Sequence, residues 1–438
     1  MKIYTAIFLG LFSFPSLLYA AVPTIHVEGS PKKVIVDQPA ASTGLNNIYI
    51  VYSLESLKVS ATPSSGNPSS VVWMKYDSRG GGFAEAVPSH VEGDRSVLTT
   101  VEGNFGYIVE DGTDRAYFWL VDYSQNRFFI DSLVPGSEMD CQSTQLFYTG
   151  NAEPIEYYTI NGRQMELSRE IGVEYSTLQF SEDSFSYSKV NASETLESAS
   201  DGVIRVPASL CETSYTLSGD RFLKQWGEDQ TVTTSAIFPV AVEARTKAEQ
   251  QGETPDNQSG GSTGGLGGSA PAEIKFEAAV SDAALFYEWQ FSTYADFDDI
   301  TDRYSELSLN YIFDEVGTTY IRFVADNADG TCLYIGDTYE VTIGESSLKC
   351  PNAFTPGSTE GVNDIWKVSF RSIVSFECHI FNRWGKQMAS FTNPADGWDG
   401  KYGGKVVPTG VYYYVIKAVG ADGKKYDLSG DINILNYK

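Results

Sequence analysis

His26, His90 and His379 are the only imidazoles in this chain of 438 residues. A histidine does acid–base or metal work only with a partner held within reach. His26 stands close to the start of the mature chain, where fraying is expected, and His90 lies in a loop beside Pro88. His379 follows Cys378 in an apolar run that reads as a strand, where neighbours point to opposite faces, so the two make no catalytic dyad. All three histidines read as packed or solvated residues. Neither a Gly-x-Ser-x-Gly elbow nor a His-Glu-x-x-His helix occurs. Carboxylates are plentiful, at 57 Asp and Glu, and glycoside hydrolysis needs only two, about 5–10 Å apart across a cleft. The densest group is Asp296, Asp298, Asp299 and Asp302. Its spacing is not that of an EF-hand. A solvated acidic loop is the favoured reading and a calcium loop the alternative. No catalytic residue, cofactor-binding residue or metal ligand is therefore assigned, with calcium as the one cofactor left open.

Five cysteines follow the first apolar segment: Cys141, Cys211, Cys332, Cys350 and Cys378. None has the close doublet spacing of a zinc site. Cys141 and Cys211 fall in one expected domain and form the candidate disulfide, which would contribute about 4 kcal/mol on the chain-entropy model. Cys350 fits the spacing for pairing with either Cys378 or Cys332.

Disulfides require an oxidising compartment, and the N-terminus points to one. Lys2, an apolar run from Ile7 to Leu18, and then Ala20 and Ala21 make the three-part pattern of a secretory signal peptide over residues 1–21. That run is shorter than the roughly 20 residues of a bilayer span, and no later segment of the mature chain reads as transmembrane. The formal charge of −26 argues against nucleic acid as a partner. The charge is uneven: residues from Leu348 onward carry 11 Lys and Arg against 8 Asp and Glu, and the remainder carries 20 against 49. The last ninety or so residues are a separate module.

The elements that must position these residues are strands. Short runs of Val, Ile, Tyr, Phe and Thr alternate with Gly, Asn, Asp and Pro, and no stretch sustains a helical apolar period over several turns. The expected fold class is all-β: serial immunoglobulin-like or PKD-like antiparallel β-sandwiches ending in a β-sandwich C-terminal domain. A first sandwich is expected over 24–134, with Trp73 inside the strand 71–76 and a plain turn at Ser78-Arg79-Gly80-Gly81-Gly82. A second is expected over 135–245, with a hairpin at Asn161-Gly162. Residues 246–271 are rich in Gly and Ser and read as a flexible linker with a reach of about 25 Å. A third sandwich over 272–345 carries Trp289. Its run from Gly317 to Gly330 resembles the late strands of PKD-type and immunoglobulin-like repeats.

The last unit, 348–438, alternates clearly. Tyr412, Tyr414, Ile416 and Ala418 share the face expected to meet the core, while Val411, Tyr413, Val415, Lys417 and Val419 share the other. Several motifs occur here in order. Pro351-Asn352-Ala353-Phe354-Thr355-Pro356 comes first, then Asn363-Asp364, then Phe381-Asn382-Arg383-Trp384-Gly385. Trp398-Asp399-Gly400, Pro408-Thr409-Gly410, Tyr412-Tyr413-Tyr414 and finally Gly430 follow. This pattern resembles the gliding motility-associated C-terminal domain of Bacteroidota, the type B sorting signal of type IX secretion. The resemblance covers about 90 residues. It implies export through the inner membrane and then passage across the outer membrane by the type IX secretion machinery, to the cell surface or the medium. It does not imply that the protein powers gliding. Where relatives carry Asn-Gly-Asp-Gly, this chain has Gly357-Ser358-Thr359-Glu360-Gly361. Asn363 and Asp364 are read as capping a turn, with calcium ligation by Glu360 and Asp364 as the alternative.

Three functions remain open on sequence. The first is a non-catalytic surface protein whose sandwiches serve adhesion or bind a glycan or protein ligand. The second is a chain of carbohydrate-binding modules, which needs some of Trp73, Trp119, Trp226 and Trp289 at the surface. The third is a glycan-active enzyme, which needs a carboxylate-lined cleft between the first and second units.

Overall fold

The computed structural model describes residues 22–260, 265–357 and 361–435. The expected signal peptide and Glu360 lie outside them. Four β units follow one another, as the strand-rich sequence requires.

In the first unit, a four-stranded sheet (Thr24–Glu28, Lys58–Thr62, Arg95–Leu98, Ser89–Glu92) faces a six-stranded one (Ile35–Asp37, Asn47–Val51, Asp114–Asp122, Phe105–Asp111, Val71–Tyr76, Glu85–Val87). Trp73 lies between them, fully buried, and its indole N–H donates to Ser96 Oγ at 3.1 Å. The run from Ala116 to Val121 does not alternate, and the reason is that its strand is covered on both sides. Phe118 faces the unit's own core, while Trp119 and Val121 face the second unit. One apolar cluster, including Ile48, Tyr76, Trp119, Ile155 and Ile171, spans both units. Apolar side chains of both units therefore pack together in the interior of this junction. His26 and His90 both lie in strands rather than in a frayed end and a loop. His26 pairs through Nε2 with Thr62 Oγ1 at 3.0 Å.

The glycines of 80–82 also serve this junction. Gly80 has φ +85°, and a Cβ there would meet Gly162 N at 2.6 Å. Gly81 N–H donates to Ile160 O at 2.8 Å. The turn therefore packs against the tip of the expected hairpin, whose strands are Ile155–Tyr158 and Gln164–Leu167.

The second unit adds the sheets Phe129–Met139, Ser143–Asn151, Val203–Pro207 and Ser186–Leu196, Ile171–Ser181, Thr216–Ser218, Thr231–Thr233. It also holds a short helix, Arg221–Trp226, too brief for its period to register in the sequence. Its ends are marked all the same: Asp220 Oδ1 accepts from Leu223 N, and Gly227 closes it in the left-handed conformation. Asp220 is fully buried. It also pairs with Arg169 Nη1 at 2.6 Å and accepts from the Tyr123 hydroxyl at 3.0 Å. Trp226 Nε1 donates to Lys33 O at 2.7 Å, which ties the helix to the first unit.

The expectation of a flexible linker over 246–271 is corrected at both ends, while its residues 261–264 lie outside the described ones. Ala244–Gln250 is a strand antiparallel to Ala272–Val280, and Leu266–Gly268 runs parallel to Tyr339–Ile343. Both complete the third unit, whose core holds Trp289, Phe276 and Phe323. Ladder bonds use backbone groups, so glycine can make them while carrying no side-chain pattern to read. At Gly267 (φ +97°) it is required, because a Cβ would meet Thr342 O at 2.5 Å. Between these strands the chain crosses to the last unit. Asn257 Nδ2 donates to Val368 O and Pro394 O, each at 2.8 Å, and Ser259 N donates to Phe370 O at 2.7 Å.

The expected Cys141–Cys211 disulfide is also corrected. Cys141 bonds to Cys332, 191 positions further along the sequence, with Cα atoms 5.4 Å apart. Cys141 lies in an exposed turn of the second unit that meets a loop of the third, whereas Cys211 is buried as a free thiol. Cys350 and Cys378 are free as well, so neither pairing open to Cys350 forms.

Candidate functional site

The motif-bearing unit is built on a five-stranded sheet: Ala353–Phe354, Lys425–Ile434, Gly410–Gly420, Ile373–Phe381 and Gln387–Phe391. Its central strand, Gly410–Gly420, divides as its alternation requires. Tyr412, Ile416 and Ala418 are buried, Tyr414 is half-buried against Trp366, and Val411, Tyr413, Val415 and Lys417 are exposed.

Most of the motif residues build this unit. Phe354 and Trp398 are buried with ring centroids 5.6 Å apart, and Tyr412 meets Trp398 at 5.2 Å. The Tyr412 hydroxyl donates to Pro408 O at 3.0 Å. Pro351 O accepts from Trp366 Nε1 at 2.7 Å, and Asn352 O accepts from Asn433 N at 2.8 Å. Asp399 Oδ1 accepts from Lys401 N at 3.0 Å. Gly400 takes φ +71° beside Pro356, where a Cβ would come within 2.7 Å of the proline ring. Gly410 starts the central strand at φ +145°. Gly430 faces Tyr414 across the ladder, and a Cβ there would meet the tyrosine oxygen at 2.6 Å.

Asn363 and Asp364 shape a turn. Asn363 has φ +51°, its carbonyl accepts from Thr355 N at 2.8 Å, and Asp364 Oδ2 accepts from Gly361 N at 3.1 Å. Among the described residues no three His, Cys, Asp or Glu converge on a metal position. Asp296, Asp298 and Asp299 are exposed just before the strand Asp302–Tyr304, with Asp298 N donating to Asp296 Oδ1 at 3.2 Å.

A few motif residues face water instead. Phe381 is partly buried at the end of its strand, and Asn382 Oδ1 accepts from Trp384 N and Lys386 N, both at 3.0 Å, to form a tight turn. Gly385 sits there at φ +76°. The turn presents Trp384, 77% exposed, with the Arg383 guanidinium 4.5 Å from its ring centroid. Tyr413 pairs with Phe381 across the ladder, close to this turn, and is exposed too. Trp73, Trp119, Trp226 and Trp289 are all buried, so none offers a sugar-stacking face. His379 Nε2 lies 2.9 Å from Glu377 Oε1 on the sheet's outer side, while Cys378 beside it is buried. Burial pushes the Cys378 thiol up to about 12, with the Cys350 thiol adding to the shift, which favours the protonated thiol.

Comparison with known proteins agrees with this architecture. Residues 133–234 match the model of a fibronectin type III domain. No curated protein matches the chain. Among solved structures, it is similar to a tetra-tandem repeat in the extending region of a large adhesion protein. The identity is 13%, the coverage 88% of this chain and 96% of that one, and the TM-score 0.23. It is also similar to three N-terminal domains of the bacteriophage RB49 highly immunogenic outer capsid protein, at 9% identity, 71% and 100% coverage and a TM-score of 0.22. Chicken CNTN1 FN1-FN3 domains align at 12% identity, 69% and 99% coverage and a TM-score of 0.23. Scores this low carry no argument about arrangement or role. Residues 348–434 match the model of the type IX secretion signal domain, which places the chain among proteins exported to the cell surface or into the medium.

Proposed function

We propose that this is a non-catalytic surface or secreted protein in which the C-terminal unit is the address and the preceding three units are the cargo, which serves adhesion or ligand binding. The observation that carries the address half is the division of the motif. Arg383, Trp384 and Tyr413 are held at the surface by a sheet and turn that the other motif residues build, and packing within the chain gives no reason for that exposure. The cargo half is supported by the way the units are joined. A core shared by the first and second units and a disulfide between the second and third fuse them into one continuous body suited to presenting a surface outside the cell.

The test is protease shaving of intact native cells, with the medium assayed in parallel, for the full chain and for a chain ending at Ser347. Truncation also strips the contacts of Asn257 and Ser259. A reciprocal fusion of residues 347–438 to an inert periplasmic reporter therefore checks sufficiency. Surface or medium appearance of the full chain and the reporter, with the truncation retained, supports the reading. Equal export of both chain lengths, or a reporter that stays in the periplasm, refutes it.

A further inference from the structure

The largest apolar exposure outside the C-terminal unit lies where the second and third units meet. Phe238, Leu285, Phe286 and Leu333 are 71, 62, 64 and 61% exposed. Two grooves share Leu285: one of about 770 Å³ between the units, reaching Phe238, and one of about 470 Å³ on the third unit, reaching Phe286 and Leu333. Isolated exposed apolar residues are ordinary, but a contiguous group of large ones marks an interaction surface.

The inter-unit groove is preformed. One wall includes Met139, two residues before Cys141, and the other includes Asn327 and Asp329, shortly before Cys332. The Cys141–Cys332 bond cross-links the two walls, so a ligand need not order them. Asn327 holds its loop further, donating through Nδ2 to Val240 O at 3.1 Å and accepting from Thr331 N at 3.0 Å.

The charge around the groove selects the occupant. Glu212, Asp282 and Asp329 line it, all three are exposed, and none is in an ion pair among the described residues. Among the described residues no lysine or arginine lines the inter-unit groove, although Lys189 reaches the Glu212 carbonyl oxygen from outside it. A second copy of this chain docking through the same junction would bring the same carboxylates to the contact, and like charges opposed across an interface are unfavourable. Beside Leu285, pairing with Asp302–Tyr304 covers only Trp289, Gln290 and Phe291, so among the described residues Phe286 to Glu288 have no strand partner on that side. An extended segment can lie along such an edge.

We infer that this junction binds an extended, basic and apolar segment of another protein, with aliphatic side chains in the groove and Lys or Arg against Glu212, Asp282 and Asp329. The inference rests on the cargo half of the proposed function and is independent of sorting, because it is tested on the purified, oxidised chain.

The probe is a fluorescent decapeptide of alternating Leu and Arg, followed by anisotropy and compared with Leu/Glu and Ser/Arg decapeptides. Leu285→Ser with Phe286→Ser should weaken Leu/Arg binding at least tenfold, and Asp282→Asn with Asp329→Asn should lower both affinity and salt dependence. Val72→Ser, an exposed apolar site on the first unit, should change neither. Unchanged melting temperatures establish that the variants are folded. Three results would each overturn the inference: no binding of the Leu/Arg peptide, equal binding by the Leu285/Phe286 variant, or equal binding of the Leu/Glu or Ser/Arg peptide. So would a dimer seen by sedimentation that this variant abolishes, because a second copy would then be the occupant.

Discussion

Replacing Asp220 with alanine should unlock the first unit from the second. The carboxylate is fully buried, and it meets Arg169 Nη1 at 2.6 Å, the Tyr123 hydroxyl at 3.0 Å and Leu223 N at 3.0 Å. Its loss leaves the Arg169 guanidinium, 1% exposed, with only the carbonyl oxygens of Glu153 and Asn126. Orphaning one partner of a buried ion pair costs about 3–5 kcal/mol. Losing the cap of the Arg221–Trp226 helix adds about 1 kcal/mol. Domains are stable by about 5–15 kcal/mol, so a loss of 4–6 is severe. At a slope of about 2–3 kcal/mol per molar urea, the midpoint should fall by about 2 M. Tyrosine and tryptophan fluorescence would follow the transition, since Tyr123 and Trp226 pack at 5.0 Å beside the pair. Replacing both partners, Arg169→Met with Asp220→Leu, removes the orphan and should recover most of the loss. A midpoint shift below about 0.5 M for Asp220→Ala, or a double variant no better than the single, would refute this reasoning.

Peptide mapping without reductant should recover Cys141 joined to Cys332. Cys141→Ser should destabilise the body by up to about 5 kcal/mol, the chain-entropy value for a loop this long, read as a fall in melting temperature. Alkylation of the native protein should spare Cys211 until the fold is opened. Hydrogen bonds from the Ser70 hydroxyl, and then from the Ser65 amide and the Ser65 and Ser64 hydroxyls, hold Asp111 well below the ordinary carboxylate range. A depressed folded-state pKa gives stability that is present above the unfolded pKa and lost as pH falls through the folded one. The Asp111→Asn variant should therefore have a shallower loss of stability below about pH 4 than the wild type, in acid titrations followed by circular dichroism. Gly430→Ala should press a methyl group into the Tyr414 ring and cost about 1–3 kcal/mol, with Tyr414→Ala in the same chain relieving the clash.

Local pattern made much of this protein legible in its sequence. Turn residues and period-2 runs identify an all-β chain, and the strand Val71–Tyr76 is found where it is expected. The Tyr412, Ile416 and Ala418 face is buried for the same reason, and the ordered motifs of the last unit point to the sorting-domain family whose model residues 348–434 match. What lay beyond reach involves partners distant in the chain. Cys141 pairs with a cysteine 191 residues away because two loops of different units meet, and spacing within one unit points instead to Cys211. Both ends of the glycine-rich 246–271 segment, up to Gln250 and over Leu266–Gly268, pair through backbone groups that leave no mark on side-chain pattern. Only packing separates the motif residues that build the C-terminal sheet from Arg383, Trp384 and Tyr413, which it leaves in solvent. Alternation reports which face of a strand is apolar. What covers that face, or leaves it open, depends on contacts that exist only once the units have come together.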